Sequence, residues 1–528
     1  MFTLEFCAPP AFKFCRKRPE SRHLAALESP FRPRMHFPSS PSRVYNSWRL
    51  TGVCPDGKEE TARTMAEPQS KAARPVLTEG PIAKTLFVFS LPILLGNVLQ
   101  TLNGSINSIW VGRLLGETAL AATSNANFLM FFLISAIFGI SMASVILLGQ
   151  NLGAQRIQEA KKVVGTSTSF FFILSIITGA LGVTFSPLIL ELLNTPEEAM
   201  EMAVIYTRIM FAGTPLMFGF NLIMAVMRGA GDSKTPFWFL LLSTVIDIVL
   251  NPLLILGYGP FPEMGIAGSA TAALIAQFIS LILLMIRLYA KQYFLRITWK
   301  ELHLLRMQWR IIKLTIQKGI PMGLNMVVVS LANLLLIHIV NGFGAEATAA
   351  FGISGQISSY VQMPALAIGG AVTSMAAQNI GAGRWDRVNR ITGVGIGFNV
   401  LLTGAVVLIL LVFNREAVSL FVEDGGAIEI GMHINNVTLW SFIIFGIFNV
   451  MAGVVRSAGA VMVPMIISFI ALMIIRIPLA SVLGDYYGLD AVWWSFPASF
   501  AAAALLNALY YKFGGWRKAK LLEQAGGA

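Results

Sequence analysis

The sequence predicts an all-α integral membrane protein, with twelve transmembrane helices in two homologous six-helix lobes. Three observations predict it. Only 12% of the 528 residues are charged and 55% are hydrophobic. Soluble domains carry about 25% charged residues, so too little polar surface is left to cover a soluble globule. Basic residues alternate from loop to loop. The second half of the chain repeats the first at an offset of 228 residues.

Phe128 to Leu148 and Gly319 to Ala345 carry no Asp, Glu, Lys or Arg. Runs of about 18 or more apolar residues cross a bilayer as helices. These are too uniformly apolar for barrel strands, which alternate over about ten residues. Apolar blocks between loop signals give twelve spans, beginning near Lys84, Ala119, Val163, Ala203, Thr235, Gly265, Ile311, Ala347, Asn389, Met432, Met462 and Leu489. Twenty-one Lys and Arg fall in the even-numbered loops and the C-terminal tail, against two, Arg113 and Arg415, in the odd-numbered loops. The odd loops carry acids instead, among them Glu197, Glu198, Glu201, Glu423, Asp424 and Glu429. Basic loops stay cytoplasmic, so both termini are placed in the cytoplasm. A miscounted span would scramble the alternation. The net charge of +12 follows this topology, and we exclude a nucleic-acid-binding surface.

The repeat is short but dense. Gln150-Asn151-Leu152-Gly153-Ala154-Gln155-Arg156 recurs as Gln378-Asn379-Ile380-Gly381-Ala382-Gly383-Arg384. Arg228-Gly229-Ala230-Gly231 with Pro236 recurs as Arg456-Ser457-Ala458-Gly459 with Pro464, and Asn221 matches Asn449. Leu91-Pro92 matches Ile320-Pro321 with one residue of slip. Six spans per repeat give both halves the same orientation, so the halves are parallel repeats. Such proteins bind solutes near the midplane at the repeat interface and rock one half against the other.

Residues 1–76 form a basic N-terminal extension expected to be disordered, and all three cysteines (Cys7, Cys15, Cys54) lie in it. The membrane part therefore uses no disulfide or thiol chemistry. The extension reads as a start-site artefact ahead of Met65, as an Arg- and Ser-rich transit peptide, or as a basic tail touching anionic lipid. Residues 77–290 form the first lobe, 291–318 a basic cytoplasmic connector, 319–515 the second lobe and 516–528 a cytoplasmic tail. The connector carries Trp299, His303 and Trp309, and is either an amphipathic segment on the membrane surface or a solvated linker.

Several of these residues resemble a known family, multidrug and toxic compound extrusion (MATE) transporters. They are Leu77-Thr78-Glu79-Gly80-Pro81-Ile82, Leu91-Pro92, Val111-Gly112-Arg113-Leu114-Leu115-Gly116, the paired Gln-Asn motifs after spans two and eight, and Arg228-Gly-Ala-Gly-Asp-Ser-Lys-Thr-Pro236. The resemblance covers residues 77 to 515. It implies a MATE-like fold of two lobes opening to one side, and an antiporter that exports organic cations or drugs in exchange for H⁺ or Na⁺. It also implies a bacterial inner-membrane location, action as a monomer, a small-molecule substrate and no cofactor beyond the coupling ion.

An ionisable group inside the bilayer is costly and marks function by default. Asp247 lies mid-span in span five, four residues before Asn251, so both face one side. Gln100, Asn103 and Asn107 make a polar stripe on span one, and Asn221 on span four is expected to join them. The coupling set is therefore Asp247, Asn251, Asn107 and Asn221, with Asp247 also the position for a Na⁺. The solute cavity is assigned to Gln100, Asn103, Met217 and Met224, where Met-rich walls adapt to varied apolar solutes or simply pack. Arg156, Arg228, Asp232, Arg384 and Arg456 are loop-motif residues that orient the chain at the cytoplasmic face. The resemblance places an acid on span one and an Asn-x-x-x-Asp pair on span five, a DinF-like pattern. Here Asn107 stands at the first position and the pair is reversed. The NorM-type pattern needs acids on spans seven and ten, and Asn325 to Ser330 and Phe442 to Asn449 hold none. Arg476 in span eleven either packs or meets an anionic group, and His338 packs or relays protons. Pro92, Pro215, Pro252, Pro321, Pro364 and Pro478 kink spans.

Two other readings remain at this level. One is a flippase for lipid-linked precursors. The other is an intramembrane serine protease with Ser354 in Gly352-Ile-Ser-Gly355 and His433 as its base. Ser233-Lys234-Thr235 lacks the glycine spacing of a phosphate loop, so ATP is not expected to couple directly. No His/Cys pattern marks a metal enzyme.

Overall fold

The computed structural model describes residues 77–421, 425–519 and 521. The N-terminal extension to residue 76, Glu423, Asp424 and most of the tail after residue 519 lie outside them. The described residues contain no strand.

The first half comprises α1 (Ile82–Leu115), α2 (Glu117–Gly153), α3 (Ile157–Leu192), α4 (Glu197–Ala212), α5 (Thr214–Gly229), α6 (Lys234–Leu256) and α7 (Ile266–Ala290). The second comprises α8 (Trp309–Asn341), α9 (Ala345–Gly381), α10 (Trp385–Val412), the short α11 (Asn414–Ser419), α12 (Gly425–Thr438), α13 (Ser441–Ser457), α14 (Met462–Phe469), α15 (Ile477–Tyr487) and α16 (Leu489–Phe513). A π-helical turn, Ile470–Arg476, joins α14 to α15 into one span. Among the described residues nine helices are long and apolar enough to cross a bilayer, and the bent pairs α4–α5 and α12–α13 raise the number to eleven. The twelfth is α9. At 37 residues it is about 55 Å long and more than spans the bilayer. Its sequence is rich in Gly, Ala, Ser and Gln because it is buried among α1, α2, α10, α12 and α13 and has little lipid to face. The twelve spans of the sequence are therefore present.

The repeat extends to backbone angles. Gly116 and Gly344, at φ 88° and 106°, begin equivalent helices, and Gly231 and Gly459, at φ 93° and 94°, close equivalent turns. Both fourth spans break at the same place, by 51° between α4 and α5 and by 43° between α12 and α13. In the first half Gly213, Thr214 and Pro215 explain the break, since Pro215 cannot complete a helical hydrogen bond. In the second half Trp440-Ser441 stands there with no proline.

The two halves interlock through their first helices. Leu86 and Phe89 of α1 enter a core with Ile368, Val372 and Met375 of α9. Reciprocally, Ile311, Leu314 and Met322 of α8 enter the core of the first half. Small residues allow the close approach: a Cβ on Gly139 of α2 would lie 2.3 Å from the Gly323 nitrogen of α8.

The connector differs from expectation. It ends at Gln308, because Ile311, Ile312, Leu314 and Thr315 bury at helical spacing and draw 309–318 into α8. It packs on α3, through Lys161 to Glu301 and Ser169 to the Leu305 carbonyl, and carries the exposed Trp299, while the exposed Trp309 opens α8. Its 3₁₀ turn, Trp299–Leu305, opens with a capping box between Thr298 and Glu301, and Glu301 accepts from Lys161 of α3 at 2.7 Å. Burial would raise the Glu301 carboxyl, but the hydrogen bonds from Lys161 and Thr298 outweigh it and hold it below its ordinary value of 4.5. The resulting stabilisation is present above pH 4.5 and is lost as pH falls through the lower folded value. Glu301→Ala is expected to loosen the connector by about 1 kcal/mol. Hydrogen exchange over residues 291–308 checks this, and unchanged protection at pH 7 would refute it.

Candidate functional site

On α1, Asn103 and Asn107 lie one turn apart, and on α6 Asp247 and Asn251 do the same. The two helices pack so that these stripes meet. Asp247 Oδ2 accepts from Asn103 Nδ2 at 2.8 Å and from Asn107 Nδ2 at 3.0 Å. Asn251 Nδ2 donates to Asn107 Oδ1 at 2.7 Å. Asp247 is 2% exposed and Asn251 fully buried. The amides of Asn103 and Asn107 thus both donate to Oδ2. Three buried oxygens, Asp247 Oδ1, Asn103 Oδ1 and Asn251 Oδ1, are left without a donor. Buried acceptors are seldom left unpaired. The carboxylate's own Oδ1 and the amide oxygens of its two neighbours Asn103 and Asn251 are therefore open acceptors, suited to positive charge as a proton on Oδ1 or a cation. The described residues hold no group of three His, Cys, Asp or Glu side chains that could bind a metal ion, so any cation here would rest on amide oxygens and one carboxylate.

Asn221 does not join this set. Its amide donates to the Met217 carbonyl at 2.8 Å, and it lines a separate cavity of about 40 Å³ between α1, α5 and α6 with Asn97, Gln100, Met224, Arg228 and Ser233. Of the residues assigned to the solute cavity, Gln100 and Met224 are therefore in one, Asn103 belongs with Asp247, and Met217 lies in the hydrophobic core. Asn97 was not singled out in the sequence, and Ser233 was named there as part of the loop motif but not as a cavity residue. Asn97 continues the Gln100 stripe one turn earlier and could have been found that way.

The Gln-Asn motifs lie inside the helices, which run on to Gly153 and Gly381. Gln150 Nε2 donates to the Ser457 carbonyl at 2.7 Å, and Gln378 Nε2 donates to the Gly229 carbonyl at 2.9 Å. These bonds are related by the repeat, each reaching from one half into the other. Where α2 and α9 cross, a Cβ on Gly153 would lie 1.8 Å from the Gln378 carbonyl oxygen, and one on Gly381 would lie 1.9 Å from that of Gln150. A short strap before α1 reinforces this end: Leu77 N donates to Gln378 Oε1 at 3.1 Å, and Arg384 Nη1 donates to the Thr78 carbonyl at 2.7 Å.

The other loop-motif residues act locally. Arg156 is exposed at the start of α3. Asp232 accepts from Thr235 N and Oγ1, anchoring the start of α6. Arg456 Nη2 donates to Asn449 Oδ1 at 3.3 Å. The protease pair is not formed, since Ser354 donates to the Gly431 carbonyl and His433 pairs with Asp490 at 2.6 Å. His338 is exposed on α8.

Twelve spans in two interlocked, repeat-related lobes, with a polar receptacle inside one of them, define an integral membrane transporter and not an enzyme. The MatE family model matches the chain twice, over residues 92–253 and 321–482. The chain belongs to this family. It is 38% identical over 440 residues to the probable multidrug resistance protein YoeA of Bacillus subtilis, covering 83% of this chain and 95% of that one. It is 32% identical to the probable multidrug resistance protein YpnP of the same organism, covering 85% and 98%. Its fold matches a crystal structure of MATE in the bent conformation with a TM-score of 0.77 at 20% identity, covering 85% of this chain and 98% of that one.

Proposed function

We propose that the protein is a secondary antiporter of the DinF-like type that exports organic cations or drugs by alternating access, driven by H⁺ entering at Asp247. The observation that carries this reading is that one oxygen of that carboxylate and the amide oxygens of Asn103 and Asn251 have no partner. A bare carboxylate inside the bilayer is costly, and loading it with a cation removes the cost. Because both amide donors already go to Oδ2, Oδ1 is the atom free to take a proton, and one of the amide oxygens can accept from it. Na⁺ would need to draw on the same three oxygens. The multidrug names of the Bacillus relatives support the solute class. The basic loops favour an inner-membrane orientation with the Gln150 end in the cytoplasm, and the conformer described is then the one closed to the cytoplasm. The protein acts as a monomer in this reading, and neither ATP nor an organic cofactor takes part.

Purified protein in liposomes provides the test. An inward proton gradient is expected to drive a fluorescent organic cation outward, with no effect of an equal Na⁺ gradient. Drive by Na⁺ alone would refute the proton, and no drive by either would refute antiport.

A further inference from the structure

The span formed by α14, the π turn and α15 carries one charge at its middle, Arg476. Pro478, two residues on, has no N–H to give back to the preceding turn, and the helix widens into the π form over Ile470–Arg476. Such turns often accompany functional residues. Arg476 is 3% exposed. Its Nε donates to Ser499 Oγ of α16 at 2.9 Å, and its guanidinium carbon lies 4.3 Å from the Phe496 ring and 4.6 Å from the Phe500 ring. The rings cover the guanidinium, Ser499 holds one edge, and Nη2 has no partner. The nearest acids along the elements packed around it, Asp485 of α15 and Asp490 of α16, stand toward one end of the span, Asp485 about 13 Å along the helix from Arg476. Phe442 and Phe445 of α13 extend the aromatic wall, 5.4 Å and 5.1 Å from the Phe500 ring.

A guanidinium kept at membrane depth without a carboxylate is an expensive arrangement. Cation–π contacts offset part of the cost but leave the Nη2 donors unused. The position adds a second argument. The two family matches begin at 92 and 321 and end at 253 and 482, so their corresponding ends are 229 residues apart. By that spacing the counterpart of Asp247 is Arg476. Equivalent places in the two lobes thus hold opposite single charges.

We propose that Arg476 is a recognition point for an oxyanion, a carboxylate or phosphate group, carried by an aromatic solute. The aromatic wall takes the ring system and the unpartnered Nη2 takes the acid, as guanidinium does in charge-assisted pairs. The transported class then includes zwitterions and aromatic acids as well as cations. This rests on the export reading for its role in transport, but its chemistry is testable by binding alone. The mid-span position places the site away from lipid phosphates, which lie at the membrane surface.

The test uses rhodamine B and its ethyl ester, which share the same cationic ring system and differ in the free carboxylate. Fluorescence anisotropy measures their binding to the full chain in detergent. The wild type is expected to bind the acid about tenfold more tightly than the ester. Arg476→Gln is expected to equalise the two, and Arg476→Lys to retain part of the preference. Ser499→Ala, which keeps the charge and releases its anchor, should weaken acid binding and leave the ester unchanged. No acid preference in the wild type, including no detectable acid binding, overturns the proposal even if a variant misfolds. So does a preference that persists in a folded Arg476→Gln protein. Failure of gradient-driven export would sink the antiport reading and leave the acid-to-ester ratio standing. Export of both dyes without preference would do the reverse.

Discussion

Asp247→Asn is expected to leave the protein folded and inserted but to reduce the proposed gradient-driven export to the level of protein-free liposomes. The substitution is nearly isosteric. It removes the carboxylate charge while putting an amide beside the unpartnered oxygens of Asn103 and Asn251. The new amide can donate where a proton on Oδ1 would, so the site is held in a likeness of its loaded form. Removing a buried charge is neutral or favourable for stability when the space stays filled, and the melting temperature is expected to hold or rise. Under the proposed antiport, the step in which ion loading and release change the relative energies of two conformers is then missing. Solute exchange down its own gradient can persist, because the cavity lined by Gln100, Asn221 and Met224 is untouched. Asp247→Ala separates charge from packing, since it leaves Asn103 and Asn107 without their acceptor at a cost of about 1–3 kcal/mol. Wild-type uphill transport in a folded Asp247→Asn protein would remove Asp247 from the mechanism.

The second large effect is expected at the crossing of α2 and α9. Gly153→Ala places a methyl where only 1.8 Å separates it from a backbone oxygen, and Gly381→Ala does so at 1.9 Å. Backbone at a helix crossing cannot swing aside as a side chain does, so the helices must part. Overpacking of this kind costs about 1–3 kcal/mol. Under the proposed alternating access that cost falls on the conformer closed at this end, and it should shift the balance by about 5- to 150-fold toward the other. The bonds from Gln150 and Gln378 lengthen with the gap and add to the shift. The chain has cysteines only at 7, 15 and 54, so a cysteine-free background is simple to make. Spin labels at the exposed Arg156 and Asp386 would report the separation. A longer distance component in Gly153→Ala is expected, and an unchanged distribution would show that the crossing does not control closure.

Much of the fold was legible because membrane topology writes itself into charge. The alternation of basic loops located α9 as a span although its hydropathy is modest, and the repeat paired the halves. The stripes of Asn103 and Asn107, and of Asp247 and Asn251, were legible from spacing alone. What spacing does not encode is the rotation of one helix against another. Asn221 sits on a helix whose break at Gly213 turns it toward a different cavity, so its separation from Asp247 could not be read. The Gln-Asn motifs were visible as repeats, yet their work lies between halves, and nothing within one half shows where the other docks. The π turn falls where the repeat offset passes from 228, at Pro236 and Pro464, to 229 at the ends of the two family matches, and a change of one residue does not by itself mark a widened turn.

The interlocked first helices bear on how the chain is made. When the first six spans leave the ribosome, the places later filled by Ile311, Leu314 and Met322 are still vacant, and Leu86 and Phe89 have no core to enter. Neither half is complete by itself, so a gene cut within the connector should yield two fragments that survive only when produced together.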